Sequence, residues 1–248
     1  MVKTDMLERF SRQIQLPEIG EKGQEKIHAA RVFLIGAGGL ASSAAYYLAA
    51  AGIGTIGIGD DDKVETSNLN RQILHNFSRI GMMKVASAKK TLKDFNPSIC
   101  IIPYPERLSD PDGLSAIISH YDIVIDCSDN YSTRFAINEA CIHEDKPWVY
   151  GAVSGFEGQV MTIVPGSGPC YRCLYPSAPP YQHQHDPSGV VGVSPGIIGI
   201  IQATEVLKYV LQKGHLLTGR LLFVDLLEMN IMEFKVPRNP ECKSCKNM

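Results

Sequence analysis

Between residues 31 and 150, apolar and polar positions alternate in blocks rather than singly. Residues 31–35 (RVFLI) form an apolar run that stops at a glycine cluster, and residues 40–51 follow as an alanine-rich stretch with helical character. A second short run lies at 55–59, helical periodicity at 82–95, a β-branched segment at 99–102 and a helical stretch at 111–120. The run at 122–125 (DIVI), the helical stretch at 130–144 and the start of a further strand at 148–150 complete the series. Continuous apolar strands alternating with helices predict an α/β fold with a Rossmann-like, mostly parallel sheet.

The remainder reads differently. Residues 158–164 alternate loosely, and 165–195 are rich in Pro, Gly, Ser and His. A long helix over 196–211, strand-like segments at 221–225 and 231–236 and a cysteine-bearing tail follow. These strands are expected to extend the same sheet, partly antiparallel. No repeat, low-complexity tract or linker divides the chain. The expectation is therefore one domain over 1–248, with a nucleotide-binding part at about 31–150 and a second part at about 151–248.

The chain has 248 residues, 44% hydrophobic and 20% charged, with 24 Lys+Arg against 26 Asp+Glu for a net charge of −2. That balance gives no electrostatic footprint for nucleic acid or an anionic membrane. No N-terminal stretch reads as a signal peptide. The longest apolar run, 196–211, is shorter than a bilayer span and carries Glu205 and Lys208, so it reads as a buried soluble helix. Seven cysteines, an odd number without a secretory signal, argue against a disulfide framework and for a cytoplasmic protein.

Candidate chemistry begins where the first strand meets Gly36-Ala37-Gly38-Gly39-Leu40-Ala41. Glycines there let backbone N–H groups approach a phosphate at a helix N-terminus. Asp60, at the end of the second strand, is placed to hold ribose hydroxyls. This fingerprint suits a dinucleotide as well as a mononucleotide. Asn68, Arg71 and Lys84 discriminate between them, because a nucleotidyl transferase needs cations and donors where charge accumulates on phosphate oxygens and departing pyrophosphate. Asp129, beyond the strand at 122–125, suits Mg²⁺, or serves as the N-cap of the following helix, or both.

Cys170/Cys173 and Cys242/Cys245 are two C-x-x-C pairs, far apart in sequence. Four thiolates suit a structural Zn²⁺ that pins the middle loop to the tail. Two redox dithiols or an iron–sulfur cluster are the alternatives. Cys100, Cys127 and Cys141 read as core thiols.

In order, the chain carries Arg12-Gln13-Ile14, the GAGGLA loop, D-x-D-x-V-x-x-S-N-L-x-R-Q from Asp60 to Gln72, Lys84, D-C-S-D-N, Cys170-Tyr171-Arg172-Cys173 and the final C-x-x-C. Over essentially its whole length it resembles the ThiF/MoeB/HesA family of ubiquitin-activating-enzyme-like adenylyltransferases. The resemblance implies ATP-dependent activation of the C-terminal glycine carboxylate of a small β-grasp sulfur-carrier protein (ThiS or MoaD type, ending Gly-Gly). The products are an acyl-adenylate and pyrophosphate, in thiamine or molybdenum cofactor biosynthesis. The second part of the chain would then bind the carrier as well as zinc.

Carried over residue by residue, Asp60 and Asp62 lie at the nucleotide, and Gly36, Gly38 and Gly39 form its loop. Asn68, Arg71 and Lys84 bind phosphates, Asp129 binds Mg²⁺ and Gln72 supports them. Arg12 reaches into a partner's site in trans, which implies a homodimer.

Where the ThiF and ubiquitin-activating branches carry a loop cysteine for a covalent carrier link, residues 181–189 contain none. His185 stands about there, and His183 and His185 read as a solvated loop. Adenylation without a persulfide or thioester step on this chain is the expectation. The chain stops at the second cysteine pair, so no fused rhodanese or ubiquitin-fold domain is expected. The alternatives are the same chemistry on a tRNA base or a peptide terminus, a nicotinamide-dependent oxidoreductase, and a non-catalytic nucleotide-binding scaffold.

Overall fold

Residues 8–178 and 189–246 are described by the computed structural model. Helices α1 (Ser11–Ile14) and α2 (Gly20–Ala29) lead into β1 (Arg31–Ile35), α3 (Gly39–Ala51) and β2 (Thr55–Gly59). Short 3₁₀ turns at Thr66–Asn68 and Phe77–Arg79 precede α4 (Lys84–Phe95), β3 (Cys100–Tyr104), α5 (Pro111–Ile118), β4 (Ile123–Asp126) and α6 (Tyr131–His143). Strands β5 (Trp148–Ser154) and β6 (Glu157–Ile163), helices α7 (Tyr171–Leu174) and α8 (Val193–Leu211), and strands β7 (Arg220–Asp225) and β8 (Asn230–Lys235) complete the chain.

The eight strands of the described residues form one sheet, ordered β3-β2-β1-β4-β5-β6-β7-β8. The strands from β3 through β5 pair in parallel and those from β5 to β8 antiparallel, as the sequence predicts. Chain order reverses direction across the sheet between β1 and β4, the switch point beside which α/β sheets bind ligands.

Each strand feeds two cores because successive side chains point to opposite faces. Val32 and Leu34 pack on one side with α3, α4 and α8, and Phe33 and Ile35 pack on the other with α5 and α6. Helix α8 is buried along Ile198, Ala203 and Val206. Its Glu205 carboxylate accepts the Thr162 hydroxyl at 2.5 Å and the Leu217 amide at 2.7 Å, and contacts Lys208, so the buried charge is matched. No helix among the described residues is long and apolar enough to cross a membrane.

Several boundaries differ from the sequence reading. β5 runs on to Ser154 because β6 pairs with it from Trp148↔Ile163 to Ser154↔Glu157. α8 starts at Val193, and β4 is shifted by one residue. α1 and α2 carry weak apolar patterns and were not anticipated. Cys127 and Cys141 are buried as expected, but Cys100 is exposed: it opens the edge strand β3, which no further strand of the described residues covers.

Candidate active site

A cavity of about 960 Å³ lies past the carboxyl ends of β1, β2 and β4 and extends over β5–β7. Gly36, Gly38, Gly39, Asp60, Asp62, Arg71, Gln72, Lys84 and Asp129 all line it. These nine residues, drawn from five separate stretches, meet at one site.

The glycine loop owes its shape to two contacts. Gly36 has φ +103°, a conformation glycine adopts without strain, and a Cβ there would lie 2.6 Å from the Cys127 carbonyl oxygen. Its amide donates to the Gly59 carbonyl at 2.7 Å, so it closes the turn rather than offering a donor to a ligand. At Gly39 a Cβ would meet Pro195 at 3.0 Å, which fixes how closely α8 approaches the start of α3. Helix α3 begins at a glycine N-cap with no side-chain cap. Its first-turn N–H groups therefore stand at the cavity wall with the positive end of the helix dipole.

Asp60 anchors this loop. One carboxylate oxygen accepts the Ala37 amide at 2.7 Å, and the other accepts the Asp62 amide at 2.8 Å. Burial pushes its carboxyl above the ordinary range, opposed by nearby Lys84. The Ala37 carbonyl is held from the other side by His75 Nε2 at 2.9 Å, and His75 Nδ1 meets the Ser87 hydroxyl at 2.9 Å. The sequence reading missed His75; the one available signal was a lone histidine following Ile73-Leu74, and nothing local shows what it faces.

Lys84 opens α4 and reaches Asp62 at 2.7 Å. Arg71 donates to the Ser67 carbonyl and the Asn70 side chain, both at 3.0 Å. Gln72 is buried, and its Oε1 has no hydrogen-bond partner among the described residues. Asn68 stands apart from the cavity: its side chain accepts the Glu65 amide at 3.0 Å and caps the 3₁₀ turn leading to Arg71. It shapes the segment that carries Arg71.

Asp129 is exposed on the cavity wall, with Asn130 Nδ2 at 3.4 Å. The N-cap of α6 is Asn130, whose side chain accepts the Thr133 amide at 2.9 Å. The capping alternative for Asp129 is thereby removed. A carboxylate open to solvent suits Mg²⁺, which retains waters and binds one or two carboxylates together with substrate phosphates.

On the far side of the cavity, Tyr150 and Tyr175 direct their hydroxyls to Gln159 Oε1, at 3.4 and 2.9 Å. Arg134 lies over the rings of Tyr131 and Tyr150 and 3.3 Å from the fully buried Asp126 carboxylate. Burial raises the pKa of Asp126, while Arg134 and the Ser128 hydroxyl, at 2.6 Å, favour the charged form.

The two C-x-x-C pairs converge into one four-thiol cluster. The sulfurs lie within 4.8 Å of one another, with Cys170–Cys242 at 3.5 Å, Cys173–Cys245 at 3.6 Å and Cys170–Cys173 at 4.0 Å. A tetrahedral zinc with Zn–S bonds of about 2.3 Å requires sulfurs about 3.8 Å apart, so the donor set fits that ion. Two separate dithiols do not describe this arrangement. Glu139 Oε1 on α6 joins the two knuckles by accepting Arg172 Nε at 2.7 Å and the Ser244 hydroxyl at 2.6 Å.

Arg12 is exposed on α1 and does not line the cavity of its own chain. His183 and His185, with the cysteine-free stretch through 188, lie outside the described residues.

A sequence profile described as the ThiF family matches residues 10–244. The sulfur carrier protein adenylyltransferase of Thermus thermophilus is 42% identical over 246 residues, covering 96% of this chain and 90% of that protein. The adenylyltransferase and sulfurtransferase MOCS3 of Xenopus laevis is 43% identical over 242 residues. That match covers 96% of this chain but 53% of MOCS3, so the chain spans about half the length of that relative. Among solved structures, E. coli MccB with ATP superposes with a TM-score of 0.84 at 23% identity, covering 96% of this chain and 74% of MccB. That likeness establishes the shared fold.

Proposed function

The chain belongs to the ThiF family, and from that premise we propose that it is an ATP-dependent adenylyltransferase for a small β-grasp sulfur-carrier protein ending in Gly-Gly. The carrier's terminal carboxylate oxygen attacks the α-phosphorus of ATP. The bond from that phosphorus to the α,β-bridging oxygen breaks, and pyrophosphate leaves with the electron pair. The carrier acyl-adenylate remains. The observation that carries this reading is that one cavity is lined both by the glycine loop with Arg71 and Lys84 and by a tyrosine-bearing sheet surface.

On the phosphate wall, the first-turn amides of α3 with Gly38 and Gly39, and the side chains of Arg71 and Lys84, hold the phosphates and stabilise charge on the departing pyrophosphate. Asp60 offers its remaining lone pairs to the ribose, and Gln72 supplies a free buried acceptor. Asp129 would hold Mg²⁺, which neutralises phosphate charge when bound. Cys170, Cys173, Cys242 and Cys245 would hold a structural Zn²⁺ that fastens the tail to α6.

The sheet side suits a protein tail. Ala152, Gln159 and Phe223 line the cavity, and the cross-strand row continues to Met232 on β8. Met232 is 44% exposed, and Phe234, on the same face, is 50% exposed. An apolar strip leading from the reacting centre to the sheet edge supports a folded partner whose C-terminus enters the cavity. Residues 31–150 would serve the nucleotide and 151–248 the carrier and zinc. The enzyme works in the cytoplasm as a homodimer, with Arg12 of each chain reaching its partner's cavity. Its carrier belongs to thiamine or molybdenum cofactor biosynthesis.

Incubation with ATP, Mg²⁺ and purified carriers of the ThiS and MoaD types tests this, with intact-mass spectrometry as readout. A carrier adenylate on one of them is expected. Adenylation of a peptide or tRNA substrate in place of every carrier would overturn the assignment of the partner.

A further inference from the structure

The nucleotide cavity is braced by a closed circuit of contacts that passes through a residue with no access to the ligand. Starting at Ala37, the amide donates to Asp60 at 2.7 Å, and Asp60 accepts the Asp62 amide at 2.8 Å. Asp62 pairs with Lys84 at 2.7 Å, and the Lys84 amide donates to the Asp62 carbonyl at 2.9 Å. One turn along α4, the Ser87 hydroxyl meets His75 Nδ1 at 2.9 Å, and His75 Nε2 returns to the Ala37 carbonyl at 2.9 Å. Ser87 is fully buried and His75 is 6% exposed, so water does not compete for these bonds.

The proton on the imidazole is fixed by its partners. A carbonyl oxygen can only accept, so Nε2 carries the hydrogen, and a neutral ring then accepts the Ser87 hydroxyl at Nδ1. Burial lowers the pKa of this histidine, which keeps the ring neutral. The loop peptide at Ala37 is thus gripped at both its N–H and its C=O. The loop it belongs to and the helix that starts with Lys84 are held by the same side chain.

We propose that His75 is a positioning residue: by tying the Ala37 carbonyl to Ser87 on α4, it sets the phosphate loop at a fixed distance from Lys84. The inference rests on the nucleotide reading of the cavity but is independent of which carrier is adenylated. His75 acts on the Ala37 carbonyl and, through Ser87, on Lys84, so its loss weakens recognition of phosphate groups more than that of the nucleoside, which Asp60 holds.

The test compares wild-type protein with His75→Leu and His75→Gln, each checked for melting temperature and metal content. Calorimetry measures affinity for a non-hydrolysable ATP analogue, and ligand-observed NMR measures affinity for adenosine. His75→Leu is expected to weaken the ATP analogue roughly tenfold, the scale of one misplaced charged hydrogen bond, with a smaller effect on adenosine. His75→Gln keeps an N–H donor near the Nε2 position and is expected to restore most of that loss. Equal weakening of both ligands, or no change in either, would overturn the proposal. Wild-type protein that binds the ATP analogue yet adenylates no carrier would sink the partner assignment while leaving His75 in its role.

Discussion

Lys84 places its ammonium 2.7 Å from the Asp62 carboxylate, with 8% of the lysine side chain and 66% of the aspartate side chain exposed. The cation is therefore fixed at the cavity wall by a partner that remains largely in water. In the proposed reaction such a charge needs little reorganisation when a phosphate arrives, and preorganised charge of this kind contributes strongly to group transfer.

Replacing Lys84 with Met keeps the packing of the stem and removes the charge. Steady-state adenylation is expected to fall by about 10²–10³ in kcat, the cost of losing one preorganised donor. A change below threefold would mean that Lys84 does not face the phosphates.

Asp129 and Asn130 are neighbours with separable roles. Asn130→Ala removes the cap of α6 and is expected to lower unfolding free energy by about 1 kcal/mol in urea titrations. Asp129→Ala is expected to change stability by less than about 0.5 kcal/mol, because that carboxylate is exposed and caps nothing, while adenylation is abolished. A stability loss in Asp129→Ala matching that of Asn130→Ala would assign it a structural role.

For the cysteine cluster, metal analysis of carefully purified protein is expected to give one zinc per chain. Glu139→Ala breaks the bridge between Arg172 and Ser244, so a chelator with a colorimetric zinc indicator is expected to strip the metal faster than from wild type. Substoichiometric zinc in untreated protein would count against the staple.

His75 gives stability a pH dependence with a definite sign. Its folded pKa is lowered by burial, with Lys84 and Arg79 adding to the shift and the Ala37 hydrogen bond and Asp60 opposing it. Below about pH 6.5 the unfolded chain takes up a proton that the folded ring refuses, so stability falls as pH drops from that value toward the lowered one. The slope from this group is at most about 1.4 kcal/mol per pH unit, and it vanishes above neutrality. His75→Gln is expected to flatten that segment in denaturant titrations from pH 5 to 8. An identical slope in the variant would place the acid sensitivity elsewhere.

The parallel half of the sheet was legible because buried strands such as β1, β2 and β4 are continuous apolar runs, and the tight turn at Gly36 was legible because glycines mark close backbone approach. The cysteine pairs were legible from spacing. β8 was harder, since all six of its residues are exposed and carry no burial pattern. Cys100 looked like a core thiol because its neighbours are apolar, but strand order, which the sequence does not display, puts it on the edge. Asn68 sits in one run with the cavity residues Arg71 and Gln72 yet caps a turn outside the cavity. His75 and Glu139 could not be found at all, because their partners lie on elements brought together only by the fold.

The most direct measurement is carrier-dependent exchange of labelled pyrophosphate into ATP, run with wild-type protein and with Arg71→Ala and Asp129→Ala. Exchange that requires the carrier and its C-terminal glycine, and that both substitutions abolish in folded, metal-replete protein, is the predicted result. Exchange undiminished in both variants, or equally fast without any carrier, would contradict the account.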